Sequence, residues 1–414
     1  MAKRLALLTA GGDVPGQNYC LKTLVHLAGD HGYETIGIRK GWEGLVRYNP
    51  EDPTTHSDNV TVLTAGRVRD IDRLGGSYLH SSRIDPGRVD PKVLPRFFGQ
   101  LCQSDRPVDL TGHIRRVLER LQVECLIVLG DNRALQYAAA LSDQGVPVIG
   151  IPKSVHNDVN GSHYCLGFST ALARGVQFVH EVRAMAGSRE EVAVVEVLGR
   201  TSGLTTMLIS VLSGADRTLI PEVPFDPEQL AALLVQDKRS NPNNYAIVAM
   251  SQGAKIVPER AMEYAPELSR LAQSSLLAQV TAAKAQEVGA TPDEYTLAGA
   301  TQMGTEVSGA GAAVTEILEH LLGQRLIFQP LSYLIRTGQP DGQDLLGAAN
   351  FATLAMQLLS QGGVGRLAAY RRGENYVDLP LAIVHQPEDE PPVAERYDAR
   401  TCSPRPGILW AVRF

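Results

Sequence analysis

The chain is predicted to be an α/β protein of two lobes, each a mainly parallel sheet covered by helices. Short apolar runs end at a loop and give way to a helical pattern four times over, and such alternation builds parallel sheets buried on both faces. At 414 residues the chain also exceeds the ~250 to 300 at which one core stops growing, so two lobes with a cleft between them are expected. With 44% hydrophobic and 20% charged residues, the composition is that of an ordinary globular protein.

Arg4 to Leu8 reads as a strand that ends at Gly11-Gly12, and a helical pattern follows from Asn18 to Leu27. The alternation recurs at Cys125 to Leu129 with Ala134 to Leu141, at Val146 to Ile151 with Thr170 to Met185, and at Val192 to Leu198 with Ser202 to Leu212. Ligands bind at the carboxyl ends of such strands, so the loops after Leu8, Leu129, Ile151 and Leu198 are expected to converge on one cleft. Asn49 to Asp58 and Ile84 to Asp109, rich in Pro, Asp and Arg, read as surface insertions. Pro258 to Ala290 reads as a long amphipathic helix ending at Gly289, and the polar, Pro-rich tail after Pro380 as a linker or surface strap.

A formal net charge of −6 implies neither a nucleic-acid nor a membrane partner. No stretch approaches the ~20 apolar residues of a membrane helix. Leu5 to Leu8 is too short for the apolar segment of a signal peptide, and the expected location is cytoplasmic. Cys20, Cys102, Cys125, Cys165 and Cys402 are odd in number and show no C-x-x-C spacing. They read as reduced, mostly buried thiols rather than a disulfide framework or a zinc site.

Seven separate motifs carry the functional reading. They are Gly11-Gly12-Asp13, Gly75-Gly76-Ser77 with Ser82-Arg83, the loop at Gly130, Pro152-Lys153-Ser154-Val155-His156-Asn157-Asp158, Val195 to Arg200, Ser251-Gln252-Gly253-Ala254, and Tyr333 to Pro340. In this order, from Lys3 to about Tyr370, they resemble the phosphofructokinase family. The resemblance implies that family's two-lobed fold, with a phosphate-donor lobe over 1–167 plus 335–385, a sugar-phosphate lobe over 168–334, and a tail over 386–414. It also implies cytoplasmic glycolytic chemistry on a small phosphorylated ligand, and self-association as the default.

A phosphate donor needs backbone N–H groups at a strand-to-helix turn, a cation, and a metal ligand. Gly11 and Gly12 supply the turn, and the resemblance makes Arg83 the arginine that stabilises the transferring phosphoryl group. Lys153 stands where lysine accompanies pyrophosphate use in the family. In the second loop, Gly130-Asp131-Asn132-Arg133, the family's metal-binding Asp falls on Asn132 and the glycine of its ATP users on Arg133. A one-residue slip would make Asp131 the magnesium ligand instead. Arg133 fills space and adds a cation, which suits a small anion better than ATP.

In the catalytic loop the family's base, an Asp, is His156 here, while Asp158 is retained. An imidazole with an ordinary pKa of about 6.5 is able to act as a base; the bland alternative is a histidine in a loop that has lost its task. On the acceptor side Ser154, Gly199, Arg200, Gln252, Tyr333 and Arg336 fall on family positions. Glu191 and Ile327 replace arginines that grip the sugar phosphate, and Gln252 replaces a Glu. Arg189 and Arg325, two residues away and on the same face if both pairs are in strands, offer partial rescue.

Losses in donor, catalytic and acceptor motifs together favour a degenerate chain that binds a sugar phosphate or anion. It would act as a regulatory subunit, as a homo-oligomer or beside an active paralogue. The alternative is an active phosphotransferase that moves a phosphoryl group from pyrophosphate or ATP, with Mg2+, to fructose 6-phosphate or a related acceptor, using His156 as base. A purely structural subunit is the third reading, opposed by the many retained cations, which would repel one another without an anion.

Overall fold

In a computed structural model, residues 3–261, 263–264, 310–386 and 393–407 are described. The chain forms two compact units, Met1–Ala171 with Leu334–Glu390 and Leu172–Tyr333 with Pro391–Arg413. The boundary near Ala171 falls inside one long helix, Phe168–Arg189.

The first unit is built on a seven-stranded sheet. Its strands are β1 (Lys3–Thr9), β2 (Tyr33–Ile38), β3 (Val60–Leu63), β4 (Val123–Gly130), β5 (Val148–Pro152), and later β10 (Arg366–Arg371) and β11 (Asn375–Pro380). They lie in the order β11-β10-β5-β4-β1-β2-β3. The five inner strands are parallel, and β3 and β11 pair antiparallel at the two edges. The inner strands β1, β4 and β5 are near-continuous apolar runs because helices cover both of their faces. Edge strand β11 instead shows mixed exposure, and its Asp378 pairs with Arg366 on β10.

The helix Gln17–Asp30 starts where Gly16 takes a left-handed conformation and buries Cys20, Leu21, Leu24, Val25 and Ala28, the stripe expected of a 3.6-residue period. Asp131 caps the helix Asn132–Asp143, and Asp341 caps Gly342–Ser360, each by accepting a backbone N–H with its carboxylate. The first of these caps places a carboxylate directly after β4, where the loops gather.

The stretch 84–109, expected to be a surface insertion, is partly a core element. Val89 and Val108 pair as an antiparallel bridge, and Val89 and Leu94 are buried. Ile84, Phe98 and Cys102 pack against the main apolar cluster, which is how so polar a segment is held down. Phe98 meets His113 edge-on, with ring centroids 4.9 Å apart.

The second unit holds a four-stranded parallel sheet of β6 (Val192–Val197), β7 (Arg217–Leu219), β8 (Ala246–Ser251) and β9 (Ile327–Pro330), in the order β7-β8-β6-β9. Strands β6 and β8 are buried at every residue. The C-terminal stretch adds β12 (Tyr397–Asp398) and β13 (Ser403–Pro404), a two-stranded ribbon. Tyr397 and Cys402 are buried, the Tyr397 hydroxyl donates 2.6 Å to the Thr218 carbonyl, and Thr218 N donates 2.7 Å to the Cys402 carbonyl. Edge strand β7 is thereby covered, which protects its open hydrogen-bonding groups.

Helix Pro258–Ala261 is present, Glu263 and Tyr264 stand in a turn, and the stretch expected to continue to Ala290 lies outside the described residues from 265 onward. All five cysteines are free; Cys102 is half-buried and the others are buried. Among the described residues no helix is long and apolar enough to cross a membrane.

Candidate active site

The first unit brings Gly11, Gly12, Asp131 and Lys153 together at the carboxyl ends of β1, β4 and β5. Gly11 has φ +83°, and a Cβ there would overlap the Asp131 carboxylate. Only glycine combines that backbone with so close an approach. Asp131 uses Oδ1 to accept the Ala134 N–H at 3.0 Å and turns Oδ2 toward Gly11. A Cβ on Gly12 would lie 2.6 Å from the Arg336 guanidinium, so the second glycine makes room for that cation. The Gly11 N–H donates 3.2 Å to the Ser82 carbonyl, which fixes the neighbour of Arg83 beside the loop. Arg83 itself is exposed. Asp13 accepts from the Ser81 hydroxyl at 3.0 Å.

Lys153 is 1% exposed, and its Nζ donates 2.6 Å to the Gly12 carbonyl. Burial lowers its pKa to about 8; the charges of Asp131 and Asp13 act to raise it, and those of Arg336 and Arg83 lower it further. Four charged side chains named in the sequence are therefore within electrostatic reach of one buried amine. An anion arriving beside this buried lysine would add to the pull of Asp131 and Asp13 and offset the remaining cost of desolvation.

The loop that follows is locked by its own side chains. The Ser154 hydroxyl accepts from His156 N at 3.1 Å and donates to Asp158 at 2.5 Å. Asn157, at φ +54°, accepts from Cys165 N at 2.7 Å and donates to the His163 carbonyl at 2.9 Å. This arrangement leaves His156 half-buried with its Nε2 3.4 Å from Arg336 Nη2, whereas Asp158 is exposed.

Not every residue singled out in the sequence joins this cluster. Asn132 Oδ1 accepts from Asn160 N at 3.2 Å, and Arg133 is exposed on the first helical turn. Gly130 ends β4 with its carbonyl accepting Lys153 N at 3.0 Å, which ties the two loops together. Arg336, grouped by the resemblance with the acceptor residues, lies in the first unit against Gly12 and His156. Among the described residues no group of three or more His, Cys, Asp or Glu side chains is assembled to hold a metal.

In the second unit the loops after β6 and β8 interlock. Gly253 N donates 2.9 Å to the Gly199 carbonyl, and a Cβ on Gly253 would overlap the Arg200 backbone. Gln252 is therefore held beside Gly199 and Arg200. Its Nε2 is buried and has no hydrogen-bond partner among the described residues. Arg200 and Tyr333 are exposed.

The rescue expected from Arg189 and Arg325 rests on a geometry that is absent. Arg189 ends a helix and Glu190 turns at φ +54°, so β6 begins only at Val192; Arg325 likewise precedes β9. Strand alternation does not relate either arginine to Glu191 or Ile327. The sequence reading gave no role to Asp13, although it stands beside Gly12 in a quoted motif. It also passed over Glu196 on β6, which is 1% exposed and accepts from Gly311 N at 2.7 Å.

The family model described as Phosphofructokinase matches residues 4–359. The chain is similar to a protein of Chloroflexus aggregans described as ATP-dependent 6-phosphofructokinase, 28% identical over 92% of this chain and 90% of the relative. It is 29% identical to ATP-dependent 6-phosphofructokinase 2 of Streptomyces coelicolor, over 92% of this chain and 94% of that one. Among solved structures, the pyrophosphate-dependent phosphofructokinase of Marinobacter aquaeolei superposes with a TM-score of 0.71, covering 99% of this chain and 90% of that chain at 15% identity. That likeness concerns the fold.

Proposed function

Because the chain belongs to the phosphofructokinase family, we propose that it is a working phosphotransferase of the 6-phosphofructokinase type, with His156 taking the proton. The observation that carries this reading is the grouping of Gly12, Lys153, Arg336 and His156 in one unit, two buried cations beside an imidazole at a glycine turn. Phosphoryl transfer asks for little covalent help and depends on positioning and charge stabilisation.

In this mechanism Lys153 and Arg336 hold the donor phosphates while Arg83 meets the group in transit. The acceptor hydroxyl forms the new O–P bond, the bond to the leaving phosphate breaks, and the hydroxyl proton passes to the imidazole. Arg336 faces His156 Nε2 with a group that can only donate. An arriving phosphate competes for that guanidinium and leaves Nε2 to accept the proton.

Magnesium fits the donor end, since it takes one or two carboxylates together with substrate phosphates. Asp131, whose Oδ2 faces the Gly11 turn, would hold it, with Asp13 nearby. When bound, the ion neutralises donor charge.

Lys153, buried beside Gly12 at the position where the resemblance associates lysine with pyrophosphate, favours pyrophosphate over ATP as donor. Fructose 6-phosphate or a related sugar phosphate is the acceptor, met by Gly199, Arg200, Gln252 and Tyr333. Self-association follows the family, and the chain works in the cytoplasm.

A second reading, a degenerate anion-binding subunit, is favoured by the commitment of Asn132 to Asn160 and of Asp158 to Ser154. The relatives named above, described as ATP-dependent enzymes, lend it no support. The deciding experiment offers purified protein magnesium with pyrophosphate or ATP against a panel of sugar phosphates and follows products by phosphorus NMR. Transfer, faster from pyrophosphate, supports the enzyme; a folded protein that transfers nothing leaves the second reading.

A further inference from the structure

We propose that Asp344 is a positioning residue that fixes Lys153 beside Gly12 and His156 beside Arg336, an inference that rests on the phosphotransferase reading above. Asp344 is 0% exposed. It lies in the first turn of its own helix, and its carboxylate caps a second helix that begins at Phe168. Oδ1 accepts from the Tyr164 hydroxyl and from Gly167 N at 2.6 Å. Oδ2 accepts from Thr170 N at 2.8 Å and from the Thr170 hydroxyl at 2.5 Å. Four donors thus converge on one buried carboxylate, and all four come from the segment 164–170.

That segment is the other wall of the catalytic loop. Leu166 N donates 3.1 Å to the Pro152 carbonyl, the Leu166 carbonyl accepts Ser154 N at 3.1 Å, and Lys153 bridges Leu166 in a parallel register. Cys165 N in turn anchors Asn157. Asp344 also lies close to the end of the donor loop, where a Cβ on Gly16 would meet the Asp344 Cβ at 3.5 Å and Leu166 at 3.0 Å. One side chain therefore holds the segment against which the catalytic loop stands. A wholly structural cap would stabilise the fold without setting that register, and positioned groups lose rate when they are displaced by about 1 Å.

Two readouts separate these roles. Pyrophosphate binding is measured by calorimetry, and turnover is followed with separate Michaelis constants for donor and acceptor, in wild type, Asp344→Asn, Thr170→Val and Tyr164→Phe. The milder variants each remove one hydroxyl bond and carry the test if Asp344→Asn does not fold. The expected result is a roughly tenfold or greater loss of pyrophosphate affinity and of kcat in Asp344→Asn, with smaller losses of the same pattern in the other two. The acceptor KM should stay within about twofold, because the acceptor residues belong to the second unit. Variants that melt at lower temperature yet keep donor affinity and kcat would overturn the inference. A wild-type protein that neither turns over nor binds pyrophosphate would sink the functional reading, and this inference with it.

Discussion

Arg336 Nη2 lies 3.4 Å from His156 Nε2, across 180 residues of sequence, with the same guanidinium filling the space over Gly12. One arginine thus touches both the phosphate turn and the proposed base. Arg336→Lys keeps the charge but loses the planar fork that can serve both neighbours. A drop in kcat of roughly 10- to 100-fold is expected, with little change in the acceptor KM. Steady-state kinetics checks it, and near-wild-type kcat in the lysine variant would remove Arg336 from the mechanism.

Lys153 gives a pH prediction with a definite sign. Its folded pKa is about 8, below the ordinary 10.5, so between those values the unfolded chain binds more protons and stability rises with pH. Below about pH 8 the fold carries a charged buried amine. Lys153→Met should therefore be at least as stable as wild type at pH 7, and wild type should gain on it as pH climbs from 8 toward 10.5. Anion binding runs the other way. It requires the ammonium form, so wild-type pyrophosphate affinity should fall above about pH 8, with proton uptake on binding. Paired melts and calorimetry in buffers of different ionisation enthalpy measure both.

The parts of this protein that were legible in the sequence are those encoded locally. Strands β1, β4 and β5 are apolar runs that stop at Gly11-Gly12, Gly130 and Lys153, and buried parallel strands have no other way to look. The grouping of Gly11, Gly12, Asp131 and Lys153 followed from their places at strand ends. The approach of Arg336 to Gly12 was not legible because the two are far apart in sequence and no periodicity connects them. The burial of Val89 and Leu94 was hidden by the Pro, Asp and Arg around them. Asp344 went unnoticed because a carboxylate in a first helical turn is ordinarily a solvated cap, and only the fold shows four donors converging on it.

Gly11→Ala should cost about 1 to 3 kcal/mol of stability, since alanine disfavours φ +83° and would press on Asp131. The displaced carboxylate should also weaken the cap on the helix Asn132–Asp143. Urea denaturation of the variant tests this, and an unchanged midpoint would mean the turn relaxes without strain.

Gln252 presents a buried Nε2 with no hydrogen-bond partner among the described residues, next to Gly199 and Arg200. Such a donor suits an oxygen-rich ligand. Gln252→Glu replaces it by acceptors of like charge to a phosphate, so the acceptor KM should rise by roughly tenfold. The donor KM should not move. A lower acceptor KM would show that this position reads sugar hydroxyls as donors.

The most direct test of the central claim is the rate of magnesium-dependent phosphoryl transfer by His156→Ala beside wild type, at saturating donor and acceptor. Loss of a positioned general base typically removes about 10²- to 10⁴-fold, and a fall of that size with unchanged pyrophosphate affinity is the result predicted here. Wild-type turnover that survives intact in His156→Ala would contradict the account and send the search for the base elsewhere in the loop.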